Sequence, residues 1–345
     1  MRCVHLIIPA WPPETDALTG SVAYVTRCVA MSDRRYFLKT LMGGAAGLSV
    51  PSLWAPQAAL ARSKPAPMAP LTVTRLSDRL AVISGAGGNV VVLSGPQGVL
   101  LVDSGSPQRA HDVLEAVARL PGGHRIDTVF NTHWHWEHTG GNELMRRAGA
   151  RIVAHENTRL WLGTPIWVEW QNRTYAPRPQ GAWPTETFYT SGKMSFAGEP
   201  IEYGYLEEAH TDGDIYVYFR GENVLVPGCV LSVGSYPIVD YSTDGWLGGM
   251  SAATAMLTGM IDDRTRIVPG VGPVQTKSDL VAEHAMLENL QERIWHLMLK
   301  GLGIPDIIAA DPTRAYDPKW GRPDLFIQSA YRSLYAHCRE IRGAV

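Results

Sequence analysis

The most constraining feature of this sequence is a dense run of histidines, residues 132–142, that directly follows a short apolar stretch. The stretch Ile126–Phe130 predicts a buried strand. The run THWHWEHTGGN then places three imidazoles and one carboxylate within six residues, on the loop that leaves the strand. Alternate side chains of an extended segment point the same way, so His133 and His135 face one side. Because imidazole and carboxylate are groups that bind zinc, this density predicts a metal site rather than an ordinary structural histidine.

Composition limits the classes of protein to which the chain can belong. The 345 residues carry 31 Lys and Arg against 33 Asp and Glu, a formal net charge of -2. Nucleic-acid binding requires a strongly basic face, which this balance does not predict. With 45% hydrophobic residues the chain also has ample apolar material for a core, which excludes a disordered tail protein. We therefore expect a globular protein whose partner is a small molecule and not a nucleic acid.

Short apolar runs and helical patterns alternate along the chain, which predicts helices packed against β-sheet. Two apolar runs, 89–93 and 99–103, flank a cluster of turn residues and predict a buried hairpin. Later, helical patterns over 280–300 and 326–341 predict a helical appendage. The sequence thus predicts one α/β domain, residues 71–280, followed by a helical C-terminal extension, residues 281–345.

The N-terminal part of the chain has the layout of an export signal. Arg34 and Arg35 precede a soft apolar stretch, residues 40–50, and Ala59-Leu60-Ala61 fits a small-residue cleavage site. This layout is similar to a twin-arginine signal. A single membrane anchor is the alternative, but the apolar run of about 11 residues is shorter than the roughly 20 that span a bilayer. We expect a periplasmic or secreted protein with no stable membrane span after cleavage.

The position of Met31, just upstream of the arginine pair, sets the expected boundaries of this region. We expect translation to start at Met31, so that the signal peptide occupies residues 31–61 and residues 1–30 are a non-native upstream extension. A Pro-rich linker, residues 62–70, then leads into the α/β domain.

The histidine run and four further motifs resemble the metallo-β-lactamase superfamily over roughly residues 71–280. The run is similar to the H-x-H-x-D-H signature of that family, in the variant order H-x-H-x-E-H. The other motifs follow in the family's order, as Leu100-Leu101-Val102-Asp103-Ser104-Gly105, Ala209-His210-Thr211-Asp212-Gly213-Asp214, Pro227-Gly228-Cys229 and Pro269-Gly270-Val271-Gly272. The resemblance implies an αββα sandwich with its metals at one edge, between the two sheets.

A first zinc site is implied by the resemblance, with His133, His135 and His210 as ligands. Three imidazoles with one open position match the ligand count of hydrolytic zinc. Three residues depart from the family's pattern, namely Glu137, Val271 and Cys229. Glu137 stands where the family has Asp, and Val271 stands where a metal-binding His is expected.

A second site is implied as well, with Glu137, His138 and Cys229 as ligands. Cys229 stands where most members have a bridging Asp, although some zinc β-lactamases have Cys there and others use the His after the carboxylate. A thiolate is a soft ligand, which favours zinc. Three alternatives stay open: Cys229 as a small core residue, His138 as an orienting or helix-capping residue, and a one-zinc enzyme with Glu137 as base.

The activity implied by this resemblance is hydrolysis of an amide, lactam, lactone or ester by zinc-activated water. Glu137 and Asp103 are the expected assisting groups. Asp103 either accepts a hydrogen bond from a metal-bound imidazole or caps the turn that follows it. Two other functions compete with this one, an iron-dependent oxygenase on the same fold and a non-catalytic or single-metal binding protein.

Aromatic side chains are concentrated next to the histidines. Six of the eleven tryptophans lie within 50 residues of the run, at positions Trp134, Trp136, Trp161, Trp167, Trp170 and Trp183. As a wall or lid they would favour an apolar or aromatic substrate. The alternative is that most of them belong to the core.

Overall fold

Two β-sheets face each other in this protein, and helices cover their outer faces. The computed structural model describes residues 68–343, so the predicted signal peptide, the upstream extension and most of the linker lie outside the described residues. The strands are β1 (Thr72–Arg75), β2 (Leu80–Ala86), β3 (Gly88–Gly95), β4 (Gly98–Val102), β5 (Ile126–Phe130), β6 (Arg151–His155), β7 (Ile166–Val168), β8 (Arg173–Tyr175), β9 (Glu186–Phe188), β10 (Ser191–Phe196), β11 (Glu199–Tyr205), β12 (Ile215–Phe219), β13 (Val224–Gly228) and β14 (Arg266–Pro269).

The helices lie between these strands and after the last one. They are α1 (Ala110–Ala118), α2 (Trp136–Thr139), α3 (Asn142–Arg147), α4 (Glu156–Leu162), α5 (Leu247–Met260), α6 (Lys277–Leu299), α7 (Ile304–Ala309), α8 (Asp317–Trp320) and α9 (Asp324–Gly343). Short 3-10 helices occupy Glu169–Gln171, Gln180–Ala182 and Tyr241–Thr243.

The larger sheet has seven strands in the order β1-β2-β3-β4-β5-β6-β9. Its first four strands pair antiparallel, and β4, β5, β6 and β9 pair parallel. The second sheet has the order β10-β11-β12-β13-β14, antiparallel except for the parallel pair β13 and β14. A separate two-stranded sheet joins β7 and β8.

Alternation along the strands explains why the sheets form layers. In β4, Leu100 and Val102 lie in the core between the two sheets, whereas Val99 and Leu101 pack on the opposite face with α1. All four side chains are fully buried, and full burial of such a side chain contributes roughly 1.5–3 kcal/mol. A third core joins the outer face of the second sheet to α5, α6 and α9. The predicted αββα fold with a helical C-terminal region is therefore confirmed.

Individual elements agree with the sequence pattern to different degrees. The hairpin predicted from runs 89–93 and 99–103 is present as β3 and β4, whose register pairs Gly95 with Gly98. The sequence pattern missed β10 and β11. β10 is an edge strand that alternates between exposed and half-buried residues, so it lacks the continuous apolar run of a core strand.

The C-terminal helices pack onto the domain. The long helix α6 begins at Lys277, where the Asp279 carboxylate accepts from the Thr276 backbone N–H and closes the first turn. It therefore crosses residue 280, the predicted end of the α/β domain. Among the described residues, no helix combines the length and the apolar character needed to cross a membrane.

Candidate metal centre

The sheet topology brings the sequence motifs to one edge of the sandwich. Strands β4 and β5 are parallel, so Asp103 and the histidine run leave the first sheet at the same edge. In the second sheet Cys229 follows β13, and His210 precedes the antiparallel neighbour β12, which again places both at one edge. A hydrogen bond from the Ile215 N–H to the Thr132 carbonyl oxygen, 2.9 Å, joins the two sheets there.

Three imidazole nitrogens converge at this edge. His135 Nδ1 lies 3.1 Å from His133 Nε2 and 3.1 Å from His210 Nε2. The His133 and His210 rings are buried, and His135 is half-buried. The three rings meet nearly edge-on, with ring centroids 4.8–5.0 Å apart.

The outer nitrogens of two of these rings each face a hydrogen-bond acceptor. His210 Nδ1 donates to the Ile238 carbonyl oxygen, 2.7 Å, because a carbonyl can only accept. His135 Nε2 lies 3.0 Å from Oδ2 of Asp240, a fully buried carboxylate that accepts the ring N–H. With their protons held outside, both rings direct a lone pair inwards, which is the form that binds a metal.

Asp103 organises the third and fourth imidazoles. Its Oδ2 accepts from Thr132 Oγ1, 2.8 Å, and its Oδ1 accepts from the Thr132 N–H, 2.8 Å. Because the Thr132 hydroxyl donates to Asp103, it accepts from His133 Nδ1, 3.0 Å away, and leaves His133 Nε2 with its lone pair. Asp103 Oδ2 also lies 2.8 Å from His138 Nδ1. Asp103 therefore fixes His138 directly and His133 through one hydroxyl group.

Cys229 completes the cluster from the second sheet. Its Sγ lies 3.3 Å from His138 Nε2, and the ligand atoms of Cys229, His133 and His210 all lie within 4.8 Å of one another. The structure thus brings together six predicted site residues, His133, His135, His138, His210, Cys229 and Asp103.

Two glycines make room for the His138 ring. A Cβ atom on Gly88 would lie 2.4 Å from His138 Cε1. On the other side, a Cβ atom on Gly270 would lie 2.6 Å from Cys229 Sγ and 3.0 Å from His138 Cε1. Real Cβ atoms do not approach other atoms this closely, so the absence of a side chain at both positions admits the ring.

Burial and neighbouring charges shift the pKa values of the imidazoles in opposite directions. Burial, helped by the neighbouring imidazoles, lowers the pKa of His133 well below its ordinary value and lowers the pKa of His210 to about 3. Both rings are therefore neutral at physiological pH. Burial also opposes protonation of His138, but the negative charges of Cys229 and Asp103 outweigh it and raise the pKa of His138. A positive charge is thus favoured between Asp103 and Cys229.

These donors fit a metal ion. The inner nitrogens of His133 and His210 each point a lone pair at that of His135 across 3.1 Å, and such lone pairs repel unless they share a cation. Next to them, the thiol of Cys229 and the Nε2 atom of His138 form a softer pair of donors. Imidazole and thiolate are both ligands for zinc.

Two expected ligand positions are not part of the cluster. Glu137 is exposed and forms no hydrogen bond with an imidazole among the described residues. The helix α2 begins at Trp136, and successive residues of a helix point about 100° apart, so Glu137 and His138 cannot point the same way. Val271 is 54% exposed, at the position where the family has a histidine. Its loop is held instead by the Asn89 side chain, which donates to the Pro269 and Gly272 carbonyl oxygens.

Three contributors to the centre were missed from the sequence, Thr132, the Ile238 carbonyl group and the role of Asp240. Thr132 immediately precedes the histidine run, which was an available signal. Asp240 is separated from His135 by more than 100 residues, so only the tertiary structure connects them.

Five of the six tryptophans near the histidine run belong to a small core beside the centre. Trp134 is buried with Tyr175, and its indole N–H donates to Thr243 Oγ1, 3.0 Å. Four others pack partly buried against this cluster, namely Trp136, Trp161, Trp170 and Trp183. Trp167 is 52% exposed.

Sandwich layers with a histidine-rich edge define a metallo-hydrolase fold, and comparison with known proteins agrees. The family model described as "Metallo-beta-lactamase superfamily" matches residues 84–271, more than half of the chain. The chain belongs to the metallo-β-lactamase superfamily.

Individual relatives are distant. The type 2 metallo-β-lactamase of Bacillus sp. (strain 170) is 23% identical over 193 residues, covering 56% of this chain and 70% of that protein. A metallo-β-lactamase structure from Pontibacter korlensis aligns with TM-score 0.51 and 22% identity, over 64% of this chain and 99% of the other. The stereoselective inverting sec-alkylsulfatase Pisa1 from Pseudomonas sp. aligns with TM-score 0.59 and 16% identity, over 76% of this chain and 50% of the other. At these identities the structural likeness concerns the fold.

Proposed function

We propose that this chain is an exported zinc-dependent hydrolase that cleaves an amide, lactam, lactone or ester bond with a metal-activated water. The observation that carries this proposal is the convergence of three imidazole nitrogens, with His133 Nε2 and His210 Nε2 each 3.1 Å from His135 Nδ1. Each of the three rings also has an acceptor at its outer nitrogen. Membership of a hydrolase superfamily supports the same activity.

The residues that would hold zinc fall into two adjacent groups. His133, His135 and His210 form the first group, and His138 with Cys229 forms the second. When bound there, zinc supplies a water of lowered pKa and polarises a substrate oxygen. The thiolate of Cys229 favours zinc over metals that prefer oxygen ligands.

Other residues of the chain orient these donors. Asp240 holds the His135 proton on Nε2, and Asp103 holds the His138 proton on Nδ1. Such partners typically change metal affinity or activity by about 10–100-fold when they are removed. Glu137, exposed at the start of α2, is the proposed general base.

The substrate is proposed as a small molecule with an apolar or aromatic part. The aromatic cluster beside the centre supports this choice, because the Trp134 and His135 ring centroids lie 4.4 Å apart. The names of the relatives widen the list of bonds to test, because one is a β-lactamase and another is an alkylsulfatase.

A single-metal or non-catalytic binding protein is the second candidate. Exposed Val271 and exposed Glu137 favour it, because both stand at positions where a metal ligand was expected.

Metal content and turnover test the proposed hydrolase together. Purified mature protein should contain zinc at one or two equivalents per chain and hydrolyse at least one member of an ester, lactone, β-lactam and alkyl sulfate panel. The double variant His133→Ala, His135→Ala should lose both the zinc of the first group and the turnover. Equal turnover by the wild type and the double variant would remove metal catalysis, and stoichiometric iron with little zinc would favour the oxygenase.

Export is tested separately, by the N-terminus of the protein that cells accumulate outside the cytoplasm. We expect that N-terminus near Arg62, after the predicted cleavage site at Ala59-Leu60-Ala61. Retention of the arginine pair in the accumulated protein would contradict the proposed cleavage.

A further inference from the structure

The loop that carries the thiol of the centre has no regular structure of its own. Residues 229–240, here called the centre loop, lie between β13 and the 3-10 helix Tyr241–Thr243 and contain neither helix nor strand. Cys229 lies at one end of the loop and Asp240 at the other, and both contact imidazoles of the centre. The geometry of the centre therefore depends on what fixes this loop.

The helical appendage supplies the partners of the centre loop. The Ser232 N–H donates to the carboxyl group of Glu283 on α6. The Tyr236 N–H donates to the Trp320 carbonyl oxygen, 3.0 Å, and its hydroxyl donates to Asp317 Oδ1, 2.8 Å. These partners all lie beyond residue 271, where the match to the family model ends.

Glu283 is an unusual residue for its position. It is 0% exposed and lies on the buried face of α6. The other buried residues of that face are apolar, namely Leu280, Met286, Leu287, Leu290 and Ile294. A buried carboxyl group is costly unless it is hydrogen-bonded. Its two oxygens lie 3.1 Å and 3.0 Å from the Ser232 nitrogen, so the compensating contact is made with the centre loop.

The contact between Glu283 and Ser232 lies close to Cys229 along the chain. Ser232 is three residues after Cys229, and on the other side Cys229 directly follows β13, which is fixed by its neighbours β12 and β14. The Cys229 backbone is therefore held from both directions, by the sheet before it and by Glu283 after it. Ser232 is half-buried, so loss of the Glu283 acceptor would leave its N–H without this partner and the start of the centre loop without this anchor.

We propose that Glu283 is a positioning residue of the metal centre, which fixes the start of the centre loop and so holds the Cys229 thiol against His138. This inference rests on the proposed function, because it assumes that Cys229 binds the metal. It assigns to the helical appendage a part in building a site whose ligands all lie within the family domain.

Cobalt substitution of the full mature chain tests this role, because a cobalt–thiolate bond has its own charge-transfer absorption. Glu283→Met keeps the side-chain volume but removes the acceptor, and we expect about tenfold weaker binding of the thiolate-bound cobalt with loss of that absorption. Glu283→Gln keeps an acceptor oxygen and should restore both. Glu292→Met, an exposed position on the same helix, is the matched control and should bind cobalt like the wild type.

A second variant keeps the test decisive if Glu283→Met does not fold cooperatively. Tyr236→Phe retains the ring that stacks on Phe326 but deletes the hydroxyl contacts with Asp317 and Thr313, and it should weaken the same absorption. Wild-type cobalt affinity and spectrum in folded Glu283→Met would overturn the positioning role of Glu283. When that variant is unfolded, a wild-type result in Tyr236→Phe would overturn the inference that the helical appendage fixes the centre loop. Absence of a thiolate–cobalt band from the wild type itself would overturn both this inference and the thiolate ligand of the proposed function. If cobalt is then bound by the three imidazoles alone, the first metal group of the proposed function remains supported.

Discussion

Replacement of Asp103 by Asn tests how the chain fixes its imidazole tautomers. Asp103 has a backbone φ of 67°, in the left-handed region that Asn also adopts, so the substitution adds little backbone strain. The buried carboxylate accepts three hydrogen bonds, two from Thr132 and one from His138. An amide has a single acceptor oxygen, so one side of the new residue presents an N–H group instead.

The consequence for His138 follows from the geometry. If the amide oxygen keeps the Thr132 N–H, the amide nitrogen faces His138 Nδ1, which must then offer its lone pair. The ring proton moves to Nε2, towards Cys229, and the lone pair on the metal side is lost. We expect metal affinity at the His138 and Cys229 group to fall about 10–100-fold. That loss corresponds to about 1.4–2.8 kcal/mol.

Competition titration with a chromophoric zinc chelator measures this effect, with thermal unfolding as a check that the variant is folded. Asp127→Asn, which removes a carboxylate near the start of β5 and outside the centre, is the control and should bind zinc like the wild type. If Asp103→Asn retains wild-type affinity for every equivalent of zinc, the carboxylate does not set the tautomer and the reasoning fails.

Three further changes probe other parts of the centre. Cys229→Ser should lower zinc stoichiometry by about one per chain, because a hydroxyl is a poor zinc ligand, and unchanged stoichiometry by metal analysis would make the cysteine structural. Glu137→Gln should slow hydrolysis without releasing the zinc of the three imidazoles, whereas unchanged kcat would exclude Glu137 as the base. Burial raises the pKa of Glu283 well above its ordinary value of 4.5, so the folded state retains a proton that the unfolded state releases. Stability therefore falls as pH rises from about 4.5 towards that raised pKa. Melting temperatures of the wild type should fall relative to those of Glu283→Gln over this window, and parallel pH profiles would contradict the assignment.

The fold was predictable because its signals are local. Runs such as Val99-Leu100-Leu101-Val102 alternate between two cores, and the order of the motifs along the chain indicated which family they resemble. The strand β10 carries Ser, Gly and Lys on a sheet edge, so its pairing depends on β11 rather than on its own composition. Local pattern alone did not identify it.

The site was predictable where ligands are close in sequence, as with His133 and His135. The site was less predictable where the chain passes from extended backbone into a helix, because side chains repeat with a different period in each. The extended alternation that aligns those two histidines ends at Trp136, where α2 begins, and Glu137 points to solvent while His138 turns inwards. Asp240 and Glu283 depend on contacts across 105 and 51 residues, which no local pattern contains.

The clamp of Gly88 and Gly270 around the His138 ring has a consequence for surveys of genomes. A Cβ atom on Gly88 would lie 2.4 Å from the His138 ring and one on Gly270 would lie 2.6 Å from Cys229 Sγ, so a larger residue at either position would displace the imidazole or the thiol. The joint occurrence of both glycines with the histidine and the cysteine is therefore a fingerprint for this thiol–imidazole arrangement. It should distinguish such proteins from homologues that share only the histidine-rich stretch.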